Sequence, residues 1–255
     1  PGTLHVITVR RDAMLVGLAP LYCEQAPQGA RLLPIGISVS DYWDVLLHPA
    51  CAQEAGIALG RRLGSALPAF SECELSELPP GAAALRLPVP DSCTDELSPH
   101  SPCAVLTLAP QGRMRDLVPP RQLQHLRTAR NRAARRGEVC IITADSGSRS
   151  ALFDALVRLH GTRWQSRGET GVLCDPRILT FHREAIAALD DAGLLRLWAL
   201  RIGSDIAAVY YGLADSGRAY AYLTGFDPDY AFESPGTILI GHALTHALDH
   251  GMREF

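Results

Sequence analysis

The chain has 255 residues, 47% hydrophobic and 20% charged, the make-up of an ordinary soluble globular protein with room for one large or two modest domains. Its formal net charge of −3 excludes a nucleic-acid binder that works through global charge, though not one with a local basic patch. No apolar run approaches the ~18–20 residues of a membrane span, and Pro1-Gly2-Thr3-Leu4-His5 lacks a basic segment followed by an apolar stretch, so neither a transmembrane helix nor a signal peptide is expected.

In chain order, residues 4–9 and 14–22 read as a strand pair around Arg10-Arg11-Asp12, residues 50–67 as a helix and residues 70–74 as a strand, together an α/β unit. Residues 78–102 are rich in Pro, Ser and Gly and read as a connector, with a strand at 103–108 near its end. The second half reads as a helix over 120–136, a strand over 138–143 and helices over 149–165 and 177–192. Strands over 194–201, 205–213 and 218–226 follow. Domain boundaries of 1–112 and 113–255 result. The chain opens inside one strand and stops where Arg253-Glu254-Phe255 would begin another, so it reads as an excerpt of a longer protein. All 24 basic residues are Arg. The seven cysteines are odd in number and scattered without C-x-x-C spacing, which predicts a reduced, bacterial cytoplasmic setting.

The last three strands are joined by Ile202-Gly203-Ser204-Asp205 and Asp215-Ser216-Gly217, turn signals for consecutive antiparallel hairpins. After them comes Ser234-Pro235-Gly236-Thr237, in which Ser234 suits a helix N-cap and Pro235 the first helical position, where its missing N–H costs nothing. Leu239, Ile240, Ala243, Leu244, Ala247 and Leu248 share a face of this helix, and Gly251 ends it.

This order of elements, with L-T-G-F-D-P-D-Y at 223–230, S-P-G-T at 234–237 and G-M-R-E-F at 251–255, resembles GNAT acyltransferases. Within them it is most similar to the tandem branch of CelD-like proteins related to the Fem peptidoglycan aminoacyltransferases. A-P-L-Y at 19–22, S-D-Y at 40–42 and R-W-Q-S-R-G at 163–168 extend the resemblance through nearly the whole chain. The resemblance implies an α/β (α+β) fold of two GNAT-like domains, each a mixed, mostly antiparallel sheet flanked by helices, the first N-terminally incomplete. It implies a cytoplasmic N-acyltransferase that moves an acyl group, most simply acetyl, from acyl-CoA to a small-molecule or glycan-precursor amine by direct attack and without a metal. Two alternatives stay open: transfer from aminoacyl-tRNA in the Fem manner, and a non-catalytic module of polysaccharide or envelope biogenesis.

The expected cofactor site is the 234–237 helix start, because unpaired N–H groups and the positive end of the helix dipole suit the pyrophosphate of coenzyme A. Gly236 removes a side chain where phosphate oxygens approach, and Ser234 and Thr237 add hydroxyls. The same four residues also make a good helix start with no ligand at all. Leu223, Thr224 and Gly225 on the preceding strand would pair with the pantetheine amides. The chemistry needs an uncharged amine, a polarised carbonyl and a proton for the leaving thiolate. Asp41, at a turn that the resemblance places on the inter-domain cleft, could take the amine proton or simply cap its own backbone. Tyr220, Tyr222 and Tyr230 could protonate sulfur, and alternation puts Tyr220 and Tyr222 on one face. Of these, Tyr222 is the assigned acid. Tyr42, Arg163 and Trp164, with Arg167 and Gly168, are expected beside the acceptor, though Trp164 also suits a core anchor.

Two clusters remain. His242, His246 and His250 have i, i+4 spacing but no accompanying Glu, so no metal site is assigned. Arg121, Arg127, Arg130, Arg132, Arg135 and Arg136 have no acid between Asp116 and Glu138, and suit either a solvated face or a site for an anionic acceptor or tRNA. Arg130 falls among the leucines and is expected to have the buried partner.

Overall fold

The computed structural model describes residues 2–37, 39–66, 69–91, 93–99, 102–109, 112–165 and 168–255. They divide into two compact units, Pro1–Pro102 and Cys103–Phe255.

Among the described residues the first unit is made of short strands, β1 (Thr3–Leu4), β2 (Ile7–Arg11), β3 (Met14–Ala19), β4 (Leu21–Ala26), β5 (Gly29–Pro34), β6 (Leu46–Leu47) and β7 (Glu72–Cys73), with one α-helix, α1 (Ala52–Ala66). The single strand expected over 14–22 is two strands from different sheets. Pro20 lacks an N–H for the ladder, and the chain changes sheet there, β3 pairing with β2 and β6, and β4 with β1 and β5. The hairpin partner β5 was not expected at all. Helix α1 turns Ala55, Gly56, Leu59 and Gly60 inward, and Leu59 joins Ile7, Leu21, Leu32, Trp43 and Val45 in the core. Asp44 stabilises a short turn of the same unit by accepting from the backbone N–H groups of Ala83 (2.7 Å) and Ala84 (2.8 Å).

The second unit contains α2 (Met114–Leu117), α3 (Pro120–Arg136), β8 (Val139–Thr143), α4 (Arg149–Gln165), α5 (Pro176–Asp191), β9 (Leu195–Ile202), β10 (Asp205–Asp215), β11 (Arg218–Phe226) and α6 (Pro235–Asp249). Strands β8 to β11 form one antiparallel sheet in the order β11-β10-β9-β8. The hairpins form at the expected turns because Gly203 (φ 62°), Ser216 (φ 45°) and Gly217 (φ 90°) take the left-handed backbone such turns require. One face of the sheet, through Trp198, Leu200 and Tyr210, packs on α3 and α6; the other, through Leu197, Val209 and Tyr211, packs on α4 and α5. A layer of helices on each face of the sheet buries both, as an α/β domain requires.

Helix α6 approaches α3 closely at Gly241, where a Cβ would lie 2.7 Å from a methyl of Leu126. Gly251 (φ 66°) ends α6 as read from the sequence: its N–H bonds Leu248, and that of Met252 bonds Ala247. The strand expected at 103–108 shrinks to a bridge, Thr107 to Glu254, which ties that segment to the end of the chain. Glu254 also bridges Arg218 in parallel, and beyond Arg218 the outer edge of β11 has no strand partner among the described residues. No helix among the described residues is long and apolar enough to cross a membrane.

Candidate functional site

The start of α6 lies immediately after β11 and a 3-10 turn at Pro228–Glu233. Its geometry corrects the N-cap expectation for Ser234. That residue is left-handed (φ 51°, ψ 55°), its side chain makes no capping bond, and its carbonyl takes the Thr237 N–H at 3.0 Å. The tight turn feeding into it forces the conformation, since a serine hydroxyl caps well only from an extended backbone. Pro235 occupies the first position as expected, and a Cβ on Gly236 would meet nothing within 4 Å. The backbone at Gly236 is therefore open to an approaching group.

The turn before α6 is held by the arginine-rich helix. Arg136 donates to the Asp229 carbonyl (2.7 Å) and to the Glu233 carboxylate (3.2 Å), with its guanidinium 3.9 Å from the centre of the Tyr230 ring. The Tyr230 hydroxyl donates to Asp205 at 2.7 Å. One turn earlier, Arg132 donates to the Phe232 carbonyl (3.0 Å) and lies 4.1 Å from the centre of its ring. The buried partner expected for Arg130 thus belongs to Arg136. Leu126, Ala129 and Ala133 set the buried stripe of α3, which leaves Arg130 exposed and aims the i, i+4 pair Arg132 and Arg136 at the turn.

On β11 the pairing with β10 slips by one residue. Tyr211 faces Leu223 and Gly212 faces Ala221, so Tyr222 is the extra residue of a β-bulge. Tyr222 and Leu223 consequently pack on the same side, against α4 and α5, so the alternation breaks between these two, while Tyr220, opposite Leu213, keeps to the face of Tyr222 as expected. The Tyr222 hydroxyl lies 3.3 Å from Nε2 of His182, a residue of α5 that is 2% exposed and whose Nδ1 has no hydrogen-bond partner among the described residues. Burial holds the His182 imidazole below its ordinary pKa. A neutral imidazole beside a phenol can pass a proton in either direction.

At the end of β11, Gly225 abuts α4 and Thr224 is half-buried beside it. Arg163 of α4 extends to Phe226, its guanidinium 5.5 Å from the ring centre. Half-buried Trp164 donates its indole N–H to Nε2 of His160 at 2.8 Å, which leaves the proton of neutral His160 on Nδ1. Burial, then Arg163, lowers the pKa of His160. Gly171 closes over this pair, since a Cβ there would sit 2.6 Å from the His160 ring and 2.7 Å from that of Trp164. Arg167 lies outside the described residues.

Asp41 and Tyr42 belong to the first unit, and both are exposed; the Ser40 hydroxyl donates to the Tyr42 carbonyl at 2.7 Å. The capping aspartate of this turn region is Asp44, not Asp41. His246 stacks on His250 with ring centres 3.9 Å apart, and both His242 and His246 contact Trp198. Among the described residues no group of three or more His, Cys, Asp or Glu is placed to hold a metal ion. Sequence reasoning missed His160 and His182. Both sit in apolar stretches of helix, and the signal available was a histidine on the buried stripe itself.

The sequence pattern of the acetyltransferase (GNAT) domain family matches residues 120–255. The chain belongs to the GNAT family. No curated protein matches it significantly. Among solved structures, the GNAT chain is similar to FemX, at 12% identity and a TM-score of 0.59, over 99% of this chain and 78% of that one. It is also similar to the C-terminal domain of a protein described as a lysylphosphatidylglycerol synthetase from Agrobacterium fabrum, at 12% identity and a TM-score of 0.57, over 100% of this chain and 69% of that one. At such identity the likeness is one of fold. The mixed α/β architecture of helix-flanked sheets is that of a GNAT protein, and family membership makes the chain a transferase.

Proposed function

We propose that this protein is an acyl-CoA-dependent N-acyltransferase, passing an acyl group, acetyl in the simplest case, from the thioester to an amine. The α6 start supports the reading best: a 15-residue helix with proline first, a left-handed serine before it and open space at Gly236, following a strand whose outer edge is unpaired past Arg218 among the described residues. The helix start suits a pyrophosphate, and the strand edge suits the amides of a pantetheine arm. Ser234, Pro235, Gly236 and Thr237, with Leu223, Thr224 and Gly225, are the proposed coenzyme contacts.

In the reaction the amine nitrogen attacks the thioester carbonyl carbon, the C–S bond breaks and the thiolate takes a proton. Asp41 is the proposed acceptor of the amine proton and Tyr222 the proposed donor to sulfur. Tyr42, Arg163 and Trp164 are assigned to the acceptor, a small-molecule or glycan-precursor amine in a cytoplasmic setting. A second reading, an aminoacyl-tRNA donor, is favoured by one observation, the six arginines and no acid within α3.

Calorimetric titration with acetyl-CoA, a longer acyl thioester and free coenzyme A tests the first reading. Micromolar binding that is lost in Gly236→Trp, with unfolding unchanged, supports it. No binding to any thioester sinks it and turns attention to a tRNA shift assay; failure there too leaves a non-catalytic module.

A further inference from the structure

Helix α3 and the turn before α6 enclose an open cleft of about 560 Å³, with Asn131, Arg132, Arg135 and Arg136 on one side and Phe232 and Glu233 on the other. Small-molecule sites typically span about 300–1,000 Å³. The cleft's charge is uneven. Its one carboxylate, Glu233, is 5% exposed and already paired with Arg136, and Arg132 is bound to the Phe232 carbonyl. Arg135 makes no hydrogen bond or ion pair among the described residues and is exposed. It is the cleft's uncommitted cation.

Phe232 adds a second, independent requirement. Its ring is 67% exposed although it lines the cleft, and the Arg132 guanidinium covers one face at 4.1 Å. A bare anion such as sulfate would use the arginines and leave this ring in water. A planar heteroaromatic base carrying a phosphate uses both, stacking on the ring while the guanidinium pairs the phosphate. The turn that carries Phe232 runs directly into Ser234, so a ligand seated at the α6 start can reach the cleft with its far end.

We propose that this cleft binds the phosphorylated adenosine end of the acyl donor, with Arg135 pairing the phosphate and Phe232 stacking on the base. The proposal rests on the acyltransferase reading for its donor. Coenzyme A ends in an adenosine bearing a phosphate, and the 3′ end of a tRNA is also an adenosine nucleotide, so the chemistry is shared by both sources.

The probe is adenosine 3′,5′-bisphosphate, titrated into the full chain and into Arg135→Glu and Phe232→Ala. Both substitutions fall on exposed side chains, and thermal unfolding checks that the variants fold. Binding that weakens at least about tenfold in each variant is expected, one decade being the loss of a single good contact. No binding to the wild type, or equal binding to all three, overturns the proposal. Competition assigns the source: displacement by acetyl-CoA marks the coenzyme, and displacement only by an RNA minihelix ending in adenosine marks tRNA. The two readings fail separately. Acetyl-CoA binding lost in Gly236→Trp but untouched by Arg135→Glu and Phe232→Ala removes the cleft and keeps the acyltransferase, whereas bisphosphate binding without thioester binding does the reverse.

Discussion

A side chain at Gly225 would place its first carbon 2.8 Å from the amide nitrogen of His160 and 3.0 Å from Cβ of Leu159. Strand β11 and helix α4 meet backbone to backbone there, so Gly225 is a packing residue whatever else it contacts. Gly225→Ala is expected to destabilise the protein by about 1–3 kcal/mol, the usual cost of overpacking. Gly236→Ala, in open space, is expected to change stability by under about 1 kcal/mol, a helix-propensity effect. Urea unfolding of the two variants side by side checks the contrast, and equal midpoints would contradict it.

Arg136 and Glu233 form the ion pair that fastens the turn to α3, and the carboxylate is the buried member. Arg136→Ala leaves that carboxylate unpaired and is expected to cost about 1–3 kcal/mol. Adding Glu233→Gln should recover part of the loss, because no charge is then stranded. Denaturation of the single and double variants measures the coupling; simple additivity would mean the pair contributes nothing specific.

Tyr222→Phe keeps the aromatic packing against α4 and α5 and removes only the hydroxyl that meets His182. If Tyr222 is the acid for the departing thiolate, kcat falls by about 10²–10⁴ with KM little changed. Steady-state rates with an acyl-CoA and a reactive amine decide the matter. An unaltered kcat would reduce Tyr222 to a packing residue of the bulge.

Several histidines make stability depend on pH. Burial lowers the pKa of His160, His182 and His242, and His246 is brought down to about 4 by burial and then by His250, Arg196 and His242. A folded-state value below the unfolded one means that the unfolded chain binds the extra proton. Stability is therefore full above about 6.5 and is lost as pH falls toward about 4. Thermal midpoints across that window should drop, and His246→Gln should flatten the curve.

Much of the second unit was legible because its signals are local. Pattern and turn residues located α3, α4, α5, β9, β10 and β11, and Pro235 and Gly251 marked both ends of α6. The first unit was harder. Its strands are two to six residues long, and Tyr22-Cys23-Glu24-Gln25-Ala26 carries no clean alternation, so the β4–β5 hairpin stayed hidden. The site was legible where it depends on backbone and obscure where it depends on tertiary contact. No helical pattern predicts that Arg136 rather than Arg130 finds the buried acid, or that His182 reaches across to Tyr222.

The bulge at Tyr222 makes β11 a strand with a reading frame. Upstream of it the chain keeps one phase of inward and outward side chains, and downstream it keeps the other, so that Leu223 points to the core. Losing the extra residue itself would leave Leu223 opposite Tyr211, but deleting a residue downstream of it would act as a frameshift in three dimensions, turning the neighbouring positions to the opposite face. Composition would hardly change, yet the strand would present the wrong surface to α4 and hand a differently aimed chain to the turn that precedes α6. In this region length is constrained as tightly as residue identity.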